Sequence, residues 1–146
     1  FVVSKAENED ELLQALQSEL QRLEDEPDVK TTLLIHPGVL QDFLAYNEFL
    51  DAADAMLSYL ELEGVFQVAS FHPDYQFAGT DAGAAENYTN RSPYPMLHLL
   101  REASLEAAID HYPEVDGIPD RNIALMNELG VEKMRTILKR CTDAET

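Results

Sequence analysis

The 146 residues include 28 Asp and Glu against 10 Lys and Arg, a formal charge of −18, with 45 % hydrophobic residues. That is enough apolar material for one packed domain over 1–146, while the acidity argues against a nucleic-acid binder, which needs a basic face, and against docking on an anionic membrane. No apolar run approaches the roughly 20 residues of a spanning helix, no signal-peptide pattern opens the chain, and the single cysteine, Cys141, has no internal disulfide partner, so the expectation is a cytoplasmic protein.

Phe1 to Ser4 reads as a short strand, and an opening Phe in place of Met points to missing upstream sequence. Asn8 with Glu11 three positions on marks a helix start, and Leu12, Leu13, Leu16, Leu20 and Leu23 follow at helical spacing. Thr31 to Ile35 is a β-type run stopped by His36-Pro37-Gly38. Val39 to Leu60 reads as a second helix ended near Gly64, with Tyr46 and Asn47 inside it expected to pack or bond locally. Val65 to Phe71 is a third strand, ended by His72-Pro73. Strand, helix, strand, helix, strand with short joints predicts an α/β fold with a short, mostly parallel sheet and helical crossovers.

Asp74 to Arg91 has no clear period and reads as a loop, with Tyr75 to Phe77 as a brief strand at most. Loops of that length in compact domains tend to carry function. Ser92-Pro93 resembles a helix N-cap followed by proline, which predicts a helix to about His111 with Met96, Leu99, Leu100 and Ala103 on its buried side. Pro119 to Gly130 and Val131 to Cys141 complete a helical C-terminal part.

Charge is unevenly distributed. Between Lys30 and Arg101 Arg91 is the sole cation, whereas Lys133, Arg135, Lys139 and Arg140 crowd the end. Arg91 either pairs with nearby carboxylates or receives an anion. Standing before a predicted helix N-terminus, with Asn87, Asn90 and Ser92 as further donors and Arg101 about two turns on, it forms a candidate substrate-binding set for a small anionic molecule. Tyr75 is a candidate pocket wall in the same set. His36 and His72 close two strands at the ends where open parallel sheets bind ligands, so they are the candidate catalytic acid and base; the bland alternative is that each caps its own strand. On the predicted helix His98 and Glu102, four apart, share a face. With His36 and His72 they would make a nitrogen–oxygen site for a divalent metal cofactor.

The runs TTLLIHP (31–37), DFLAYNEFL (42–50), QVASFHPDYQFAG (67–79) and TNRSPYPMLHLLREAS (89–104), with Arg121-Asn122-Ile123 and Leu129-Gly130, resemble a bacterial family known as domain of unknown function 1415. The resemblance spans nearly the whole chain and implies no particular activity. It implies that family members begin earlier, with a segment containing an Asn-Leu-Cys-Pro-Phe run. The family signature includes both His-Pro pairs, Tyr75, Asn87, Asn90, Arg91, Ser92, His98, Arg101 and Glu102. Two functional expectations follow: an enzyme using His36, His72, Arg91, His98, Arg101 and Glu102 on a small anionic substrate, by metal-assisted or acid/base chemistry, or a non-catalytic binding module for an anionic small molecule or partner protein. A third reading makes the same residues a structural cluster tying the long loop down. Oligomeric state is not legible.

Overall fold

Asn8 caps the first helix by accepting the Glu11 N–H at 3.0 Å, and the Glu11 carboxylate returns a bond to the Glu7 N–H at 2.8 Å. The helix that follows, α1 (Glu9–Asp25), buries Leu12, Leu16, Leu20 and Leu23 and leaves its acids in water. The computed structural model describes residues 1–112 and 114–143. In chain order the remaining elements are β1 (Val2–Val3) before α1, then β2 (Thr31–Ile35), α2 (Phe43–Tyr59), β3 (Phe66–Phe71), a 3₁₀ turn (Ala85–Thr89) and β4 (Met96–Arg101). After them come α3 (Glu102–His111), α4 (Ile118–Leu129) and α5 (Val131–Asp143).

The α/β class and the helical C-terminal part are as expected, but the sheet is mostly antiparallel. Its order is β1-β2-β4-β3. The β1–α1–β2 unit makes an adjacent parallel pair, whereas β4 lies between β2 and β3 and runs against both. The second crossover, β2–α2–β3, therefore leaves a gap one strand wide that β4 fills. Both crossovers advance in the same direction across the sheet, so α1 and α2 cover one face. There Leu34, Phe66, Leu97 and Leu99 meet the α1 leucines and Phe49, Ala53 and Leu57 of α2 in the core.

The helix expected from Ser92 to His111 is thus a strand followed by a shorter helix. Apolar residues at 96, 99 and 100 fit a helical stripe, but Leu97 and Leu99 are the buried pair, the period-2 pattern of a strand. Pairing with a neighbour on each side outweighs the helical preference of Met, Leu and Arg. α2 also starts later than Val39. Gly38 lies against the backbone of Ala6, where a Cβ would come within 2.9 Å of the carbonyl oxygen, and Leu40 adopts a left-handed φ of 58°. Asp42 then caps the helix by accepting the Ala45 N–H at 3.0 Å. Residues 75–77 form no strand. No described helix is long and apolar enough to cross a membrane.

Candidate functional site

His36 and His72 end strands separated by β4, about 10 Å apart by strand spacing. Ile35 and Phe71 face away from α1 and α2, so the alternation turns both histidines toward α2, where they are fully buried. Their imidazoles converge on one turn. His36 donates Nδ1–H to the Val39 carbonyl at 3.0 Å, and His72 donates Nε2–H to the Leu40 carbonyl at 3.1 Å. The Asp74 N–H donates to His72 Nδ1 at 3.0 Å and fixes that tautomer. In His36 the Nε2 atom is buried with no hydrogen-bond partner among the described residues. Burial pushes both pKa values below the ordinary 6.5; at His36 the neighbouring His72 pushes the same way, and at His72 the Leu40 bond, Asp74 and Asp42 only partly offset it. Both rings are neutral at pH 7. Together they hold the 39–40 turn that aims the first residues of α2.

Tyr46 joins the two histidines. Its ring stacks on His36 (centroids 5.9 Å apart) and lies 5.0 Å from His72. Its hydroxyl donates to the Met96 carbonyl at 2.9 Å and accepts the Phe71 N–H at 3.0 Å, locking α2 to the upper ends of β3 and β4. Burial drives the phenol pKa upward, so it stays protonated. Tyr46 packs in the core, within the expectation that it packs or bonds locally, but its hydrogen-bond partners are remote in sequence and carry no short-range signal.

The 74–91 loop is ordered around Asn87, which is fully buried. Its side-chain oxygen accepts the Phe77 N–H at 3.0 Å and the Thr80 hydroxyl at 2.8 Å, and its amide donates to the Asp81 carbonyl at 2.9 Å. Asn90 donates to the Ser70 carbonyl and Ser92 to the Tyr94 carbonyl. The Tyr75 ring packs edge-on against Phe43 and Phe77. These four expected ligand contacts are spent on shaping the loop. Arg91 is held by the same loop: Nε–H donates to the Tyr75 carbonyl at 3.1 Å, Nη2 to the Ala82 carbonyl at 2.7 Å, and the guanidinium lies 4.6 Å from the centre of the Tyr88 ring. The rest of its N–H donors have no protein partner among the described residues. Because β4, not a helix, follows Arg91, no helix dipole assists it.

Arg91 faces a cleft of about 710 Å³ between the loop, the start of α2 and α5. Arg135 and Leu138 of α5 line it from one side, Phe43, Leu44, Asp74, Gln76 and Tyr88 from the others. Arg135 is 63 % exposed and pairs with Glu132 of its own helix at 2.7 Å. Neither Arg135 nor Phe43 was a sequence candidate. The basic crowding near the C-terminus was visible, but not that α5 folds back onto the loop.

The other expected site residues lie elsewhere. β4 runs antiparallel, so Arg101 and Glu102 sit at the end of the sheet opposite His36 and His72, about 17 Å away by the rise along the strand. Arg101 caps α1: it donates to the carbonyls of Leu23, Glu26 and Val29 and lies over the Phe66 ring. His98 is on the sheet face away from α1 and α2, where it donates Nε2–H to the Thr31 hydroxyl at 2.7 Å; that hydroxyl in turn donates to the Leu99 carbonyl. Burial lowers its pKa. Strand geometry therefore divides His36, His72, His98 and Glu102 between two faces and two ends of the sheet, and the shared helix face expected for His98 and Glu102 does not form. No group of three or more His, Cys, Asp or Glu among the described residues is placed to hold a metal.

The chain matches the model of a family described as protein of unknown function (DUF1415) over residues 1–136, and it belongs to that family. No curated protein and no solved structure matches it.

Proposed function

We propose that this protein binds a small anionic molecule in the cleft between Arg91 and Arg135. The observation that carries the reading is that two arginines from separate parts of the chain line one cleft in a protein of net charge −18. Arg91 is held by two main-chain carbonyls, so its unspent donors are pre-aimed, and little side-chain entropy is lost when an anion docks. Arg135, exposed and paired with an exposed Glu132, would exchange that carboxylate for the ligand. His36, His72 and Tyr46 act as positioning residues: they fix the turn before α2 and so the cleft wall at Phe43.

Titration with inorganic phosphate and with acetate, followed by calorimetry at low salt, tests this. Saturable binding is expected, weakened about tenfold by Arg135→Ala, the loss of one charge-assisted contact. Among the described residues the hydrogen bond and ion pair of Arg135 go to Glu132 of its own helix and none goes to the loop, so this variant removes no bond that shapes the loop. Absence of saturable binding to either anion at millimolar concentration overturns the reading.

A second reading, acid/base chemistry, rests on the bare Nε2 of His36, a neutral, buried lone pair of the kind a general base needs. It requires a path from the cleft past Phe43, whose ring lies 5.4 Å from His72. If this holds, His36→Gln, whose amide can still donate to the Val39 carbonyl and so keep the turn, abolishes turnover while anion binding persists; any catalysis that survives the substitution removes it.

A further inference from the structure

The walls of the cleft carry more than positive charge. Leu44, in the first turn of α2, is 71 % exposed although α2 has an apolar face to bury, and it stands beside Phe43 on the cleft wall. Leu138 of α5 lines the same space, and the buried Tyr88 ring backs the Arg91 guanidinium from beneath. Inorganic phosphate or acetate would leave these apolar groups in water. A carboxylate, Asp74, lies on the same lining and repels a second anionic group. We infer that the ligand is an amphipathic anion: one phosphate or carboxylate head between Arg91 and Arg135, joined to an apolar body that covers Leu44 and Leu138, for which a phenyl group is the probe. The inference rests on the anion-binding reading and adds the chemical class of the ligand. It also accounts for α5, which has no buried residue of its own and supplies both a charged and an apolar contact to the cleft.

Four probes separate head from body: phenyl phosphate against inorganic phosphate, and benzoate against acetate, each titrated into the full chain by calorimetry. The aromatic member of at least one pair should bind about tenfold tighter, the effect of shielding roughly 60 Å² of apolar surface. The preferred pair identifies the head group. Leu44→Ser should erase that advantage while leaving the affinity for the simple anion unchanged, and an exposed Leu44 makes the variant safe for folding. Leu138→Ala, read the same way, checks the α5 side. Equal affinity within both pairs overturns the apolar body and leaves anion binding standing. Failure of all four probes to bind overturns both. An aromatic preference that survives Leu44→Ser and Leu138→Ala together places the body elsewhere and overturns the site.

Discussion

Tyr46 is the residue on which the upper end of the fold closes. It is fully buried, its hydroxyl serves the main chains of two strands, and its ring separates two neutral imidazoles. Removing only the oxygen strands the Phe71 N–H and the Met96 carbonyl in a dry setting. Tyr46→Phe is therefore expected to lower stability by about 2 kcal/mol, since each orphaned group keeps its desolvation penalty. Urea unfolding checks this: a variant within 0.5 kcal/mol of wild type, on the order of a neutral surface change, would show that the hydroxyl is not a tie. The histidines were legible as a pair because each precedes proline at a strand end. Their shared target, the Val39–Leu40 turn, was not, because a left-handed Leu40 leaves no mark in composition.

At the scale of elements, the strands, α1, α2 and the C-terminal helices could be read from periodicity and caps, whereas β4 could not. Its sequence, MLHLLR, has the residues of a helix and follows a Ser-Pro start. Only the empty place between β2 and β3, a property of the whole sheet, makes it a strand. That one reversal moved three candidates: His98 changed face, and Arg101 and Glu102 moved to the far end. Arg101 shows what the sequence-level site residue does in its place. Its guanidinium spans three carbonyls at and beyond the C-terminus of α1, where the helix dipole favours a cation. Arg101→Ala should destabilise the protein by about 2 kcal/mol, because hydrogen bonds from a charged group to main-chain oxygens are lost together. Arg101→Lys should recover part of that, a point charge reaching fewer carbonyls than the planar fork. Anion affinity at the Arg91–Arg135 cleft should not change in either variant. Thermal unfolding together with phosphate titration reads both quantities, and a loss of affinity would return Arg101 to the binding site.

For the whole molecule, a net charge of −18 opposes the approach of anions, and two of its ten Lys and Arg line one cleft; under the anion-binding proposal that scarcity would favour a ligand with a single anionic head. The buried histidines lead to a prediction about pH. His36, His72 and His98 are each held below 6.5 by burial. When folded pKa values are depressed in this way, the unfolded chain binds more protons than the native state once pH falls below 6.5. Stability should therefore be level above about pH 7 and decline from pH 6.5 downward, by up to about 1.4 kcal/mol per pH unit for each histidine still neutral in the fold. The decline stops when pH passes below the native values. Between pH 6.5 and 5 ordinary carboxylates remain ionised, so histidine protonation dominates that window. At His36 burial lowers the pKa against the Val39 hydrogen bond and His72 adds to the lowering, whereas at His72 Asp74 and Asp42 as well as the Leu40 bond oppose it, so His36 is the position to test. Urea midpoints at pH 7.5, 6.0 and 5.0 test the slope. His36→Gln, which keeps an amide donor near Val39 but cannot titrate, should be less stable than wild type at pH 7.5 and lose less on acidification. A wild-type slope of zero across that window, or one unchanged in His36→Gln, would mean that the buried imidazoles do not set the acid limit of the fold.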